Sequence, residues 1–172
     1  WNNYNEYDQD AGFLAGFDDA FVAALKDTTL KVALNTVTDG GSYESITRKF
    51  FLASRAELFG AAENSVMEGS LLSYFSANTN AIRVAVASEY AAAHSEYSRT
   101  AGTAYWYWLR TPYSSSSYIV RFVSSDGSLY SNFAYYGSYG VRPLCNLDSG
   151  ISVSDSTDSD GCYTLNLDTG LS

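Results

Sequence analysis

The twenty-eight residues from Tyr113 to Gly140 hold six tyrosines and nine serines, and two stiff stretches bracket them. The first is Tyr105-Trp106-Tyr107-Trp108-Leu109-Arg110-Thr111-Pro112 and the second is Gly140-Val141-Arg142-Pro143. Six phenols with so few small apolar partners cannot all be packed into a core, so part of this run is expected to face outward. Tyr offers a large, nearly rigid amphipathic contact area, and Ser offers adaptable hydrogen bonding from a short side chain. Paratopes are enriched in that same pair. The pattern therefore points to a recognition surface over 112–140, carried by Tyr113, Ser115, Ser117, Tyr118, Arg121, Ser128, Tyr130, Asn132, Tyr135, Tyr136, Ser138 and Tyr139. A plainer reading is a Ser-rich surface loop with ordinary strand tyrosines.

The 172 residues fit one domain, 1–172, long enough to bury a core without staples. A formal net charge of −9 and ten basic residues argue against nucleic acid, whose phosphates need clustered Lys and Arg. No apolar run reaches membrane-spanning length, since Arg83, Ser88 and Glu89 interrupt the longest, Ala81–Ala93. A chain that begins at Trp1, with no charged segment before an apolar one, reads as a fragment or processed form of a longer protein. Cys145 and Cys162 are the two cysteines. In an oxidising compartment they can form one disulfide across a hairpin, and in a reducing one they stay as thiols.

Phe13, Leu14, Phe17, Phe21 and Leu25 recur at helical spacing, which predicts an amphipathic helix with Asp8 or Asp10 as its N-cap. Leu30–Val37 reads as a strand ended by Asp39-Gly40-Gly41. Lys49–Ala53 reads as a short buried strand, and Ser54 and Glu57 have the spacing of a capping box that starts a helix towards Phe59. Glu63–Asn80 has little periodicity, with Leu71, Leu72, Tyr74 and Phe75 as docking residues. Ala81–Ala93 reads as a brief extended piece turning into a short helix. From Tyr105 onward the pattern is β: Tyr118–Ser124 and Ser128–Phe133 form a hairpin around Asp126-Gly127, which puts Gly127 at positive φ. A second hairpin joins Ile151–Ser154 to Cys162–Leu167. N-terminal helices on short antiparallel strands, with a loop-rich C-terminal half, make an α+β domain.

Chemistry finds little support in these residues. Asp155, Asp158 and Asp160 precede Gly161 as a calcium loop would, but the Glu that closes such a loop is absent and Asp in a hairpin turn is common for local reasons. The single His94 lies in an Ala-rich helix, and no Gly-x-Ser-x-Gly elbow or phosphate-binding glycine loop occurs. No cofactor is expected. The Tyr105–Trp108 aromatics can stack a sugar or base, but alternating large residues before Thr111-Pro112 read first as a core strand, which places Trp106 and Trp108 inside.

Trp108-Leu109-Arg110-Thr111-Pro112 and Gly140-Val141-Arg142-Pro143 resemble the frame of a group of functionally uncharacterised bacterial and phage domains. Phe50–Glu57 and Arg83–Ala91 resemble two further segments of that group, so the likeness runs from about Phe13 to Leu167. The group is related in fold to C-type lectin domains of the formylglycine-generating-enzyme type. Some relatives are variable proteins of diversity-generating retroelements, in which adenine-directed mutagenesis turns Asn codons into Tyr, Ser and Asp codons between such anchors.

The resemblance implies a C-type-lectin-like display domain that binds a protein or glycan on a cell surface. It implies an extracellular place, on a bacterium or a phage virion, and no catalysis. The alternatives are an oxidoreductase like the formylglycine-generating enzymes, whose paired-cysteine motif is not recognisable around Cys145 and Cys162, and a structural surface module.

Overall fold

The structure, a computed structural model, describes residues 12–159 and 161–167. In chain order its regular elements are α1 (Asp19–Ala24), β1 (Thr28–Ala33), β2 (Tyr43–Arg48), β3 (Phe50–Leu52), α2 (Arg55–Phe59), β4 (Ala85–Val86), α3 (Glu89–His94), β5 (Ala104–Tyr105), β6 (Tyr107–Pro112), β7 (Ile119–Val123), β8 (Leu129–Phe133), β9 (Pro143–Cys145), β10 (Ser152–Val153) and β11 (Leu165–Asn166). Short 3-10 turns supplement them at Leu14–Gly16, Ser73–Phe75 and Ala81–Arg83. The chain is thus mixed α+β and loop-rich, with three short helices and small sheets of two or three strands among the described residues. No described helix is long and apolar enough to cross a membrane. The described residues form two compact units, one of residues 29–144 and one of residues 12–28 with 145–159 and 161–167.

The larger unit is organised by the antiparallel sheet β6–β7–β8. Alternation sends Tyr107, Leu109 and Thr111 of β6 inward, where Tyr107 and Leu109 pack with Val123, Ala53, Leu58 and Phe75. The same alternation turns Trp108 to the other face, where it lies opposite Phe122. Trp106 and Trp108 are therefore not core residues as the aromatic run suggested: Trp106 is exposed and Trp108 half-buried, while Tyr107 and Leu109 between and beside them are the buried ones. The register slips by two residues between Trp108 and Pro112, a β-bulge in β6.

The β7–β8 hairpin has the expected place and turn. Ser124 N–H donates to the Ser128 carbonyl, Gly127 takes φ +82°, and a carboxylate oxygen of Asp126 accepts from Ser128 N–H. The cap of α2 is also as read: Ser54 Oγ accepts from Glu57 N–H while Glu57 Oε2 accepts from Ser54 N–H at 2.9 Å. Gly60 closes the helix in the left-handed region, where a residue without Cβ is least strained.

Buried charge holds the loops of this unit to its strands. Arg110 grips Glu57 with both terminal nitrogens, at 2.7 and 2.8 Å, and donates as well to the carbonyls of Leu52 and Glu68. Glu63, 2 % exposed, accepts from Arg55, from Arg121 Nε and Nη2, and from Ser114 N–H. Burial pushes the Glu63 carboxyl up, but those donors outweigh it and hold the group below its ordinary value. Glu68 differs: burial dominates its hydrogen bonds from Thr111 and Ala33 N–H, and holds it above the ordinary carboxylate value of 4.5.

A carboxyl whose folded pKa is raised favours folding most when protonated. Its contribution is complete below the unfolded value and is lost as pH rises through the folded one. Glu68→Gln is therefore expected to remove that loss, with a smaller fall in urea midpoint between pH 4 and pH 7 than in the parent chain. A steeper fall would show that Glu68 is stabilised as the anion.

Several expectations are corrected. The helix over Phe13–Lys26 is broken into the Leu14–Gly16 turn and α1, and Asp18 is the cap, its Oδ1 accepting from Ala20 N–H. Asp8 and Asp10 lie outside the described residues. Strand β1 stops at Ala33 because Asn35 Oδ1 takes the N–H groups of Val37 and Thr38, a local bond that competes with the ladder. Strand β2 had no expected counterpart, since Tyr43–Arg48 is mostly exposed and polar.

In the smaller unit, Lys26 N–H donates to the Asn146 carbonyl, Asp148 N–H donates to the Ala24 carbonyl, and Leu25 bridges Leu147. The second hairpin is present in shortened form, with Ser152 opposite Asn166 and Val153 opposite Leu165. Cys145 and Cys162 are not bonded to each other. Nor do they stand on neighbouring strands: Cys145 ends β9, which pairs with β3, and Cys162 lies in the turn before β11. In that turn Asp158 Oδ1 accepts from Cys162 N–H, an ordinary hairpin-closing bond. Asp160 lies outside the described residues, and among those described no three His, Cys, Asp or Glu side chains converge as a metal site requires.

Candidate ligand-binding surface

The outer face of β6–β7–β8 carries a ring cluster. Phe122 lies at its centre, with Tyr130 stacked at 5.9 Å and Tyr139, Trp108 and Trp106 around it. Tyr139 comes from the loop after β8 and closes on Trp108 at 4.4 Å, its hydroxyl accepting from Asn132 Nδ2 at 2.6 Å. A second cluster forms where the hairpin ends: Phe133 stacks on Tyr118 and on Tyr135, and Tyr136 meets both Phe133 and Tyr135. Ring contacts at these separations fix the tyrosines without burying them.

Of the six tyrosines in the segment, four are exposed: Tyr118 by 58 %, Tyr130 by 54 %, Tyr135 by 71 % and Tyr136 by 41 %. Tyr113 and Tyr139 are half-buried. Ser115 and Ser117 are exposed in the turn between β6 and β7, while Ser116 between them is buried. Ser128 and Asn132 are half-buried and already bonded, Ser128 to Asp126 and Asn80, Asn132 to Tyr139. Ser138 is half-buried, and its carbonyl accepts from Arg99. Arg121 is placed differently from the expectation. Its guanidinium is held by Glu63 and stacked 4.5 Å from the Tyr113 ring centre, so its charge ties the surface to the scaffold.

Beside the ring cluster lies a cleft of about 640 Å³ within the larger unit, between the β4–β5 pair with α3 on one side and the loop 137–143 on the other. Tyr97, Arg99, Tyr105, Trp106, Tyr139 and Arg142 supply its larger side chains. Gly140 sets this loop: its N–H donates to the Trp106 carbonyl, its own carbonyl accepts from Trp108 N–H, and a Cβ there would press on Trp106 O at 3.2 Å. The following residues then alternate, Val141 outward and Arg142 half-buried, before Pro143 opens β9. Beneath Arg142, burial pushes the Tyr107 phenol up despite the nearby guanidinium.

Tyr97 and Arg99 had no expected role, because they stand outside the Tyr/Ser run in a stretch without periodicity. The one available signal was a lone Arg flanked by Ser98 and Thr100 in an acidic chain. No curated protein and no solved structure matches the chain. The two sequence frames, tied by Glu57–Arg110 and by Gly140 against Trp106, fall inside one shared family profile that matches residues 4–149. The chain belongs to the family described as Domain of unknown function (DUF6273).

Proposed function

We propose that this chain is a ligand-binding display domain of C-type-lectin-like fold, which presents the 112–140 surface to a protein or glycan outside the cell. The observation that carries it is the exposure of Tyr118, Tyr130, Tyr135 and Tyr136 on a frame held by ion pairs at Arg110 and Arg121 and by backbone hydrogen bonds at Gly140. A free surface that spends four phenols on solvent is unusually aromatic, which is the composition of an interaction site. The W-L-R-T-P and G-V-R-P frames support the lectin-like scaffold and the retroelement-diversified reading, in a phage receptor-binding or bacterial surface protein.

Two measurements test this. Sequencing the locus from several isolates is expected to show codon changes at adenines confined to 112–140; an invariant segment removes the diversification reading. Replacing Tyr118, Tyr130 and Tyr135 together with Ala is expected to abolish binding to bacterial cell-surface proteins and to the neutral members of a glycan array. Each ring stacks on one neighbour, so stability should fall by about 0.5–1.5 kcal/mol per replacement, short of unfolding the domain. Binding that survives the triple replacement, or a domain that unfolds from it, would leave the segment as ordinary β-structure.

A further inference from the structure

The cleft between β4–β5, α3 and the 137–143 loop stands apart electrostatically from the rest of this acidic chain. Arg99 and Arg142 line it, and among the described residues no Asp or Glu does. The other arginines with carboxylate partners, Arg55, Arg110 and Arg121, are spent on Glu57 and Glu63. Arg99 and Arg142 have no such partner among the described residues and are held instead by neutral groups. Arg99 sits 3.7 Å from the Tyr105 ring centre and donates to the carbonyls of Ser98 and Ser138. Arg142 lies 5.7 Å from the Tyr107 ring centre, and its Nη1 is buried without an acceptor among the described residues. Two charges fixed by rings and carbonyls lose little entropy when an anion arrives.

The remaining walls say what kind of anion fits. Tyr97, Trp106 and Tyr139 offer ring faces, and Ser88, Ser95 and Ser138 come between them. Aromatic planes with interspersed hydroxyls suit a body that has both C–H faces and hydroxyl groups. The volume, about 640 Å³, is in the range of small-ligand sites. We infer that this cleft binds an acidic saccharide, a sugar whose carboxylate is taken by Arg142 and Arg99 while its ring lies against Trp106 and Tyr139. The inference deepens the binding reading by naming a ligand chemistry. It does not share its test, because Tyr118, Tyr130 and Tyr135 lie outside the cleft.

Trp106 lines the site, so titration can be followed by tryptophan fluorescence and checked by calorimetry. The probes are methyl glucuronide and N-acetylneuraminic acid, with methyl glucoside as the neutral partner, N-acetylphenylalanine as a peptide-like carboxylate and inorganic phosphate as a bare anion. Either acidic sugar is expected to bind about tenfold or more tightly than the glucoside. Arg142→Gln should erase that preference, Arg142→Lys should restore part of it, and Arg99→Gln should weaken it less. If Arg142→Gln does not fold, Arg99→Gln and Trp106→Ala carry the test through the same preference. The proposal is overturned if neither acidic sugar binds, if glucoside binds equally, if phosphate or N-acetylphenylalanine binds more tightly, or if both arginine replacements leave the preference unchanged.

Discussion

Glu57→Ala is expected to cost the larger unit about 3–5 kcal/mol, a large fraction of the roughly 5–15 kcal/mol by which domains are stable. One carboxylate performs two tasks here. Its Oε2 accepts from Ser54 N–H to close the capping box, and the same atom with Oε1 receives both terminal nitrogens of Arg110. The side chains are 11 % and 8 % exposed, so removing the acid strands a guanidinium where water reaches it poorly. The lost cap adds about 1 kcal/mol. The stranded charge is the larger part, and it can be separated experimentally. Arg110→Met in the Glu57→Ala background should recover some of the loss, because no unpaired charge then remains. Urea unfolding followed by circular dichroism measures both. A Glu57→Ala loss below about 1 kcal/mol would mean that the pair is solvated in solution and that α2 is not fastened to β6 through it.

The same pair shows why local elements are readable from sequence and their connections are not. The S-x-x-E spacing of Ser54 and Glu57 announces a helix start because both bonds close within four residues. Asp126-Gly127 announces a turn because the left-handed φ it needs is a property of one residue. Nothing within four residues of Glu57 announces Arg110, which lies fifty-three positions away. Arg121 misleads for that reason: beside Tyr and Ser it looks like a contact residue, but Glu63, fifty-eight positions away, takes its charge.

Trp106 and Trp108 mislead in the opposite way. In β6 large residues fill both faces, so size alone gives no phase, and the buried set is Tyr107, Leu109 and Thr111. The helix expected over Phe13–Lys26 breaks because apolar spacing does not register that Asp18 can stop one turn and cap the next. The exposed tyrosines are legible from composition, since phenols in that number exceed what small neighbours can enclose. The cleft is not, because it is assembled from α3, β5 and a loop some forty residues further along the chain.

Gly127→Ala is expected to be nearly as damaging, and for reasons that lie mostly outside the hairpin it occupies. At φ +82° any L side chain is strained by about 1–2 kcal/mol. More important, a Cβ on Gly127 would overlap the carbonyl of Asn80. That carbonyl cannot easily give way, since it accepts from Arg83 N–H while Asn80 Oδ1 accepts from Arg83 Nη2 and Asn80 Nδ2 donates to Ser128 Oγ. Gly127 itself accepts from Arg83 Nε, so moving the turn aside releases the same guanidinium, which is only 4 % exposed. Either relaxation loosens a buried charge, and the total should reach about 3 kcal/mol or more. Gly102 provides the control. It has φ +75° but nothing within 4 Å of the place a methyl group would take, so Gly102→Ala should cost only the backbone strain. Equal losses at the two glycines, read from urea midpoints, would mean that the Asn80–Gly127 contact is slack and that Arg83 does not depend on it. A clearly larger loss at Gly127 would identify this turn as the place where the hairpin bearing the exposed tyrosines is fastened to the scaffold.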